Sequence, residues 1–298
     1  MNILCIGHIT HDITFPVYAF PKENTKTRFH EETSSAGGPA TIAAILLSKW
    51  NEKVQLAGLL GNDEYGRKIK KELTLNKVGT NYIVLKEDYK TSHSLVLSNY
   101  SNGTRTIFTY ANNKIHLDKF ITEYAPDIIL IDGYEYEASK NILKQFPNAI
   151  SVIDASYDKK EVVELAKMVK YLICSKDFAE KITGIKLNYE NKETILNAFE
   201  KMEKIFKNNI IITLEESGCI YRNGDVKIMP AIKVKTIDST GAGDIFHGAF
   251  VYGLAHNFSL EKALKYATIA GALSVTRVGS YHSIPTLEEM NDVYEQVK

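Results

Sequence analysis

Short runs of Ile, Leu and Val recur along the chain, and their pattern narrows the fold more than any other feature. "ILCIG" (3–7), "VQLAGLLG" (54–61), "DIILIDG" (127–133), "AISVIDAS" (149–156), "YLICS" (171–175) and "IIITLEESG" (210–218) are apolar on both faces of an extended chain. A strand of that kind must be covered on both sides, which is the condition of a buried parallel sheet. Stretches of helical period separate the runs. In "DEYGRKIKKEL", Tyr65, Ile69 and Leu73 fall on one face while Arg67, Lys68, Lys70 and Lys71 fill the rest. Strand, helix and strand in alternation predict an α/β fold, a mainly parallel sheet flanked by helices.

One region departs from the pattern. Residues 94–110, "SLVLSNYSNGTRTIFTY", alternate polar and apolar around Asn102-Gly103, a pair suited to the positive φ of a tight hairpin turn. Residues 12–36, with two prolines and little helical period, are expected to join that hairpin. The expectation is one α/β domain over 1–298 carrying a small antiparallel β lid formed by roughly 12–36 and 90–112, since no low-complexity linker or fixed repeat divides the chain.

Bulk composition bounds the partners. The 298 residues are 44% hydrophobic, with 36 basic and 36 acidic side chains. Zero net charge gives no footprint for nucleic acid or an acidic membrane, so neither is expected as a partner. The N-terminus enters an apolar run with no basic segment before it, and no eighteen apolar residues follow one another, which predicts a cytoplasmic protein. Cys5, Cys174 and Cys219 each lie in an apolar run and read as buried thiols. His8 and His11 lack carboxylate or Cys partners at metal spacing, and no metal-ligating set is expected.

"DSTGAGDIFHGAF" (238–250) carries the chemistry. It reads as a glycine turn running into a helix, whose first N–H groups lack partners and, with the helix dipole, favour an anion. Gly241 and Gly243 allow close backbone approach, and Asp244 at the helix start is placed to take a proton from a hydroxyl attacking a bound phosphate. An ordinary first-turn acid has the same spacing, so both readings stand on the residues alone. The loop is neither G-x-x-x-x-G-K-S/T nor G-x-G-x-x-G. His247, one turn on, reads first as a packed histidine bonded to backbone, and second as a group that tunes Asp244 or touches substrate.

The same stretch resembles the C-terminal signature of the ribokinase-like (pfkB) family of carbohydrate and nucleoside kinases, and "GGPATIAAILLSKWNEKVQLAGLLGNDEYG" (37–66) resembles its N-terminal one. With "GHITHD" at the start and "TRVGSYHSIPTLEEM" near the end, the likeness spans the chain. The resemblance implies ATP-dependent phosphorylation of a hydroxyl with Mg2+, a monovalent cation as a further candidate cofactor, and a homodimer through the β lid. It implies Asp244 as catalytic base, with the amides of Gly241, Ala242 and Gly243 as anion hole. Asp12 and Gly37-Gly38 match sugar-binding positions. Lys26, His93 and Arg105 are candidates for the lid face. Thr213, Gly218, Ala270, Ser274 and Gly279 match nucleotide-side positions.

Departures bear on the substrate. Ile42 stands where many members place Asn, and Ser175 and Phe178 stand where many have Asn-x-x-Glu, so metal handling is expected to rest on other groups, such as Asp154, which reads equally as a strand-end cap, or water held by phosphate oxygens. The motifs are most similar to the sulfofructose-kinase branch, yet Tyr134 and Thr109 occupy places where that branch has Arg and Asn, and losing a guanidinium weakens a sulfonate site. The expected function is a small-sugar kinase. The alternatives are a nucleoside kinase, if lid aromatics among Tyr18, Phe20, Phe29, Tyr100 and Phe108 stack a base, and a non-catalytic sugar or nucleotide sensor.

Overall fold

In the computed structural model, residues 1–111, 115–189 and 191–297 are described. The chain runs β1 (Asn2–Ile6), β2 (Thr10–Val17), β3 (Thr33–Gly37), α1 (Pro39–Lys49), β4 (Lys53–Gly61), α2 (Glu64–Leu75), β5 (Gly79–Lys86), β6 (Ser92–Asn99) and β7 (Thr104–Tyr110). It continues through β8 (Ile128–Ile131), α3 (Tyr136–Gln145), β9 (Ile150–Ala155), α4 (Lys160–Ala166), β10 (Tyr171–Ser175), α5 (Lys176–Thr183), α6 (Lys192–Ile205) and β11 (Asn209–Thr213). Then come β12 (Cys219–Asn223), β13 (Asp225–Met229), α7 (Ala242–Ala255), α8 (Leu260–Ser274) and α9 (Leu287–Gln296).

The main sheet has the order β13-β12-β11-β10-β9-β8-β1-β4-β5. From β11 to β5 every pairing is parallel. Its strands feed two cores by alternation: Ile3 and Cys5 point to a cluster under α1, α7 and α8, whereas Leu4 and Ile6 point to one under α3, α5 and α6. The all-apolar runs are thus explained by cover on both faces. All three thiols are buried and unpaired. At the far edge β12 and β13 form an antiparallel hairpin around Gly224, whose φ is +72°.

The second sheet has the order β3-β2-β6-β7. Two of its pairings are antiparallel, and β2 runs parallel to β6. Residue 112 of the expected lid segment lies outside the described residues. The β6–β7 connection is a four-residue loop, Tyr100 to Gly103, rather than a two-residue turn. Only Gly103 takes positive φ, +71°, and Asn102 instead accepts a bond from the Thr104 amide at 3.1 Å. A Cβ on Gly103 would stand 2.5 Å from Thr236 Cγ2, so the lid tip rests on the segment that leads into α7. Residues 18–32 are exposed and carry no regular structure.

Among the described residues no helix is long and apolar enough to cross a membrane.

Candidate active site

The first turn of α7 follows Gly241, which holds φ +79° and abuts Ser280, whose Cβ would lie 2.5 Å from a side chain at 241. The turn is braced from beneath by buried Asp238. One carboxylate oxygen accepts from the Thr240 amide at 2.9 Å and hydroxyl at 2.7 Å, the other from the Gly279 amide at 2.9 Å. The Ala242 amide reaches Ser239 O at 3.4 Å, while the amides of Gly243 and Asp244 meet no protein acceptor among the described residues. A Cβ at Gly243 would touch nothing within 4 Å, so this corner is open rather than plugged. Donors without partners at an open helix N-terminus form an anion site.

Asp244 is held well above the usual carboxylate range. Desolvation is the main cause, followed by the field of Asp154, with Asp12 and Asp132 adding to it and the Arg105 guanidinium opposing it. The fields of Asp12 on β2, Asp132 at the exit of β8 and Asp154 on β9 thus all act on Asp244 in α7. Arg105 arrives from β7, its Nη1 donating to Ser239 Oγ at 2.5 Å, and Ser239 Oγ in turn donates to Gly103 O at 3.2 Å. The lid tip is thereby tied to the turn preceding α7.

Asp12 explains the glycine pair. A Cβ on residue 37 would lie 2.0 Å from Asp12 Oδ2, and one on residue 38, where φ is +101°, 2.2 Å from His8 O. Glycine lets the entry to α1 approach both the Asp12 carboxylate and the end of β1, and Pro39 then opens the helix. Burial pushes Asp12 up to about 6, partly offset by the nearby Ser94 and Thr10 hydroxyls. Even so, Asp12 Oδ1 and Thr10 Oγ1 complete no hydrogen bond, nor does Ser98 Oγ on the neighbouring strand. Asp132, which the sequence reading did not single out, accepts from the amides of His8 (2.8 Å), Ala40 (3.3 Å) and Tyr134 (3.1 Å) and so pins β1, α1 and β8 together. Burial pushes it up to about 7.

Strand phase corrects one expectation. Asp12 pairs with Ser94, and Ser94 with Thr109, so these three share the inner face of the lid, where the Ser94 and Thr109 hydroxyls meet at 3.2 Å. His93 is one residue out of phase and faces the other way, between Tyr65 at 5.4 Å and Tyr110 at 5.0 Å, with Nδ1 at 3.2 Å from Thr91 O. Lys26 lies in the exposed segment 18–32, outside the four strands of the lid.

The sequence pattern of the pfkB family carbohydrate kinases matches residues 1–287. The chain belongs to this family. A ribokinase from Lactococcus lactis is 27% identical over 301 aligned residues, covering 97% of this chain and 95% of that protein. A nucleoside kinase from Methanocaldococcus jannaschii is 23% identical, covering 99% and 97%. The structure of Arabidopsis thaliana ribokinase complexed with ribose and ATP superposes with a TM-score of 0.80 at 21% identity, covering 98% of this chain and 97% of that one.

The residues expected on the nucleotide side of this pfkB family member separate into two groups. Thr213 ends β11 level with Ser175 of β10, at the carboxyl edge of the sheet where ligands of such folds bind, and its hydroxyl donates to Cys174 O at 3.2 Å. Gly218 follows with φ +98°; a Cβ there would lie 1.9 Å from Met229 O, so close approach of β13 alone requires glycine. Ala270 is fully buried and offers a ligand no surface. The Ser274 hydroxyl is buried on Gly271 O at 2.7 Å, and Gly279 is spent on Asp238. These last three brace the α7–α8 corner because α8 packs along α7 and turns that face into core.

Two departures from the family pattern have structural causes. Ser175 caps α5, accepting from the Phe178 amide at 3.1 Å, and Phe178 is fully buried against Phe206, so that strand end carries packing instead of a carboxylate. Among the described residues no three His, Cys, Asp or Glu side chains converge as a metal-ligand set. Asp154 remains, its Oδ1 accepting from Ser156 Oγ at 2.8 Å. A Mg2+ bound mainly by phosphates and water needs only one or two carboxylates, a demand that Asp154 fits. Ile42 is fully buried in the core under α1. Ile42→Asn is expected to cost about 3 kcal/mol by burying an unpaired amide, read as a lower urea midpoint, without tightening sugar binding.

Proposed function

We propose that this chain phosphorylates a hydroxyl of a small sugar. ATP would supply the phosphoryl group, and Asp154 would help hold a Mg2+ ion whose charge would offset that of the phosphates. Asp244 takes the proton of the attacking hydroxyl, and the amides of Gly243 and Asp244 face the charge that develops on the transferring group. Ala242 and Gly241 set the turn that aims them. Thr213 stands at the nucleotide end of the same edge.

The observation that carries the reading is the pairing of an open, acceptor-free helix start with a lid face whose buried Asp12, Thr10 and Ser98 oxygens lack partners. Unpaired buried oxygens are costly, and a polyhydroxyl ligand satisfies them. Of the lid aromatics, Phe108 shares the face of Leu95, opposite Asp12, while Phe29 packs on Phe15 and Tyr18 on Tyr100. That placement favours sugar over a stacked base. A nucleoside is the second reading, supported by the His8–Tyr134 stack at 4.6 Å beside Asp132. At positions 109 and 134 a sulfonate finds no charged group, since the Thr109 hydroxyl is engaged with Ser94 and Tyr134 is stacked on His8.

Thermal-shift screening decides among these classes, because a ligand that binds only the folded state raises its stability. A neutral ketose or aldose is expected to raise Tm more than nucleosides or sulfo-sugars, and ATP consumption on the same panel is expected to follow the same rank. A panel with nucleosides ranked first overturns the sugar assignment. The outer lid face, with Leu95, Phe108 and Tyr110 at 38%, 60% and 45% exposure, supports pairing of two copies. Phe108→Glu is expected to shift a dimer to monomer in sedimentation.

A further inference from the structure

His247 lies one turn into α7, 5% exposed, with Nδ1 at 2.6 Å from Gly243 O and 3.4 Å from Asp154 Oδ2. Both neighbours only accept, so Nδ1 carries the proton and is shared between them. In an α-helix Gly243 O already accepts the His247 backbone N–H, and the imidazole adds a second donor to one carbonyl. That carbonyl belongs to the same peptide as the Asp244 N–H, one of the amides with no acceptor at the open corner. A peptide whose oxygen accepts two bonds is more strongly polarised, and its N–H is a better donor. This placement has a cost, because Nε2 is buried with no partner among the described residues. A phenyl ring would fill the same volume without that cost.

We infer that His247 is a positioning residue that polarises the Gly243–Asp244 peptide and ties it to Asp154, strengthening the anion hole during phosphoryl transfer. The inference rests on the kinase reading above. It implies that His247 acts on the rate of transfer and not on sugar affinity, since it touches neither Asp12 nor the lid face.

The test compares His247→Phe, His247→Asn and His247→Gln in the full chain. His247→Phe is expected to lower kcat about tenfold, a fraction of what losing a whole oxyanion donor costs, with KM for ATP and acceptor within about twofold of wild type and Tm unchanged or higher. The Asn amide reaches the Nδ1 position and is expected to restore at least half the rate. Gln reaches towards Nε2 and is expected to stay low. The Asp244 amide 15N resonance supplies a readout without substrate: it moves in the Phe variant and returns towards wild type with Asn. An unshifted resonance in folded His247→Phe, or a kcat within twofold of wild type, overturns the inference. If the Phe variant does not fold, wild-type rate in the Gln variant overturns it instead. A shifted resonance in His247→Phe, together with a wild-type chain that consumes no ATP on any acceptor, upholds the polarisation while removing the kinase reading.

Discussion

Asp244→Asn is expected to lower kcat by about 10³-fold or more while ATP affinity, read by calorimetry, stays within a few-fold of wild type. General-base assistance contributes about 10²–10⁴-fold, and the amide side chain keeps the shape and the helix-start donors while removing the proton acceptor. Misfolding is separable from lost chemistry by the sign of the stability change. The folded protein raises the Asp244 pKa above its unfolded value of 3.8. Its stabilising contribution is therefore fully present below that unfolded value and lost as pH rises through the folded one. At neutral pH the charged carboxylate opposes folding through desolvation and the fields of Asp154, Asp12 and Asp132. The neutral Asn variant is expected to melt at the same temperature or higher. An inactive variant with a lower Tm would point to a structural role, and an active one would remove Asp244 as the base.

The legible parts of this molecule are those where one local rule decides. Strands β1, β4, β8, β9, β10 and β11 were readable because each needs cover on both faces, and the structure supplies it. The α7 start was readable as a helix start because a glycine turn runs straight into small and apolar residues at helical spacing, while its chemistry was open on the residues alone. The β12–β13 hairpin escaped although "RNGDVK" carries the Asn-Gly sign, since its strands alternate weakly and sit at an edge. His93 and Ser94 mark a different limit: a phase error of one residue exchanges the two faces of a strand, and only pairing with β2 fixes the phase. Asp132 was illegible because its role is set largely by two amides, of His8 and Ala40, from distant parts of the chain. Ala270 was misplaced for the related reason that an amphipathic helix does not say which neighbour covers its apolar side.

Arg105→Ala is expected to lower kcat by about 10²-fold and to move the acidic limb of the kcat/KM profile to higher pH. A cation supplied to a transferring phosphoryl group is worth up to about 10³–10⁵-fold in related chemistry, and a smaller figure is expected because the helix amides remain. The pH shift follows from sign. Arg105 is the positive group that opposes the rise of Asp244, so its removal leaves desolvation and the neighbouring carboxylates unopposed and the base deprotonates at higher pH. Activity should therefore be lost first at the acidic end of the range. Arg105→Lys keeps the charge without the planar fork and is expected to hold the limb near its wild-type position while recovering only part of kcat. Ser239→Ala separates the two tasks of the residue, because it cuts the 2.5 Å tether between lid tip and catalytic turn and leaves the guanidinium in place. If charge at the phosphoryl group dominates, Ser239→Ala loses less than tenfold and its acidic limb stays fixed. If holding the lid closed dominates, it matches Arg105→Ala in rate but not in pH dependence, and an acidic limb that stays put in Arg105→Ala would take Arg105 out of the field that Asp244 feels.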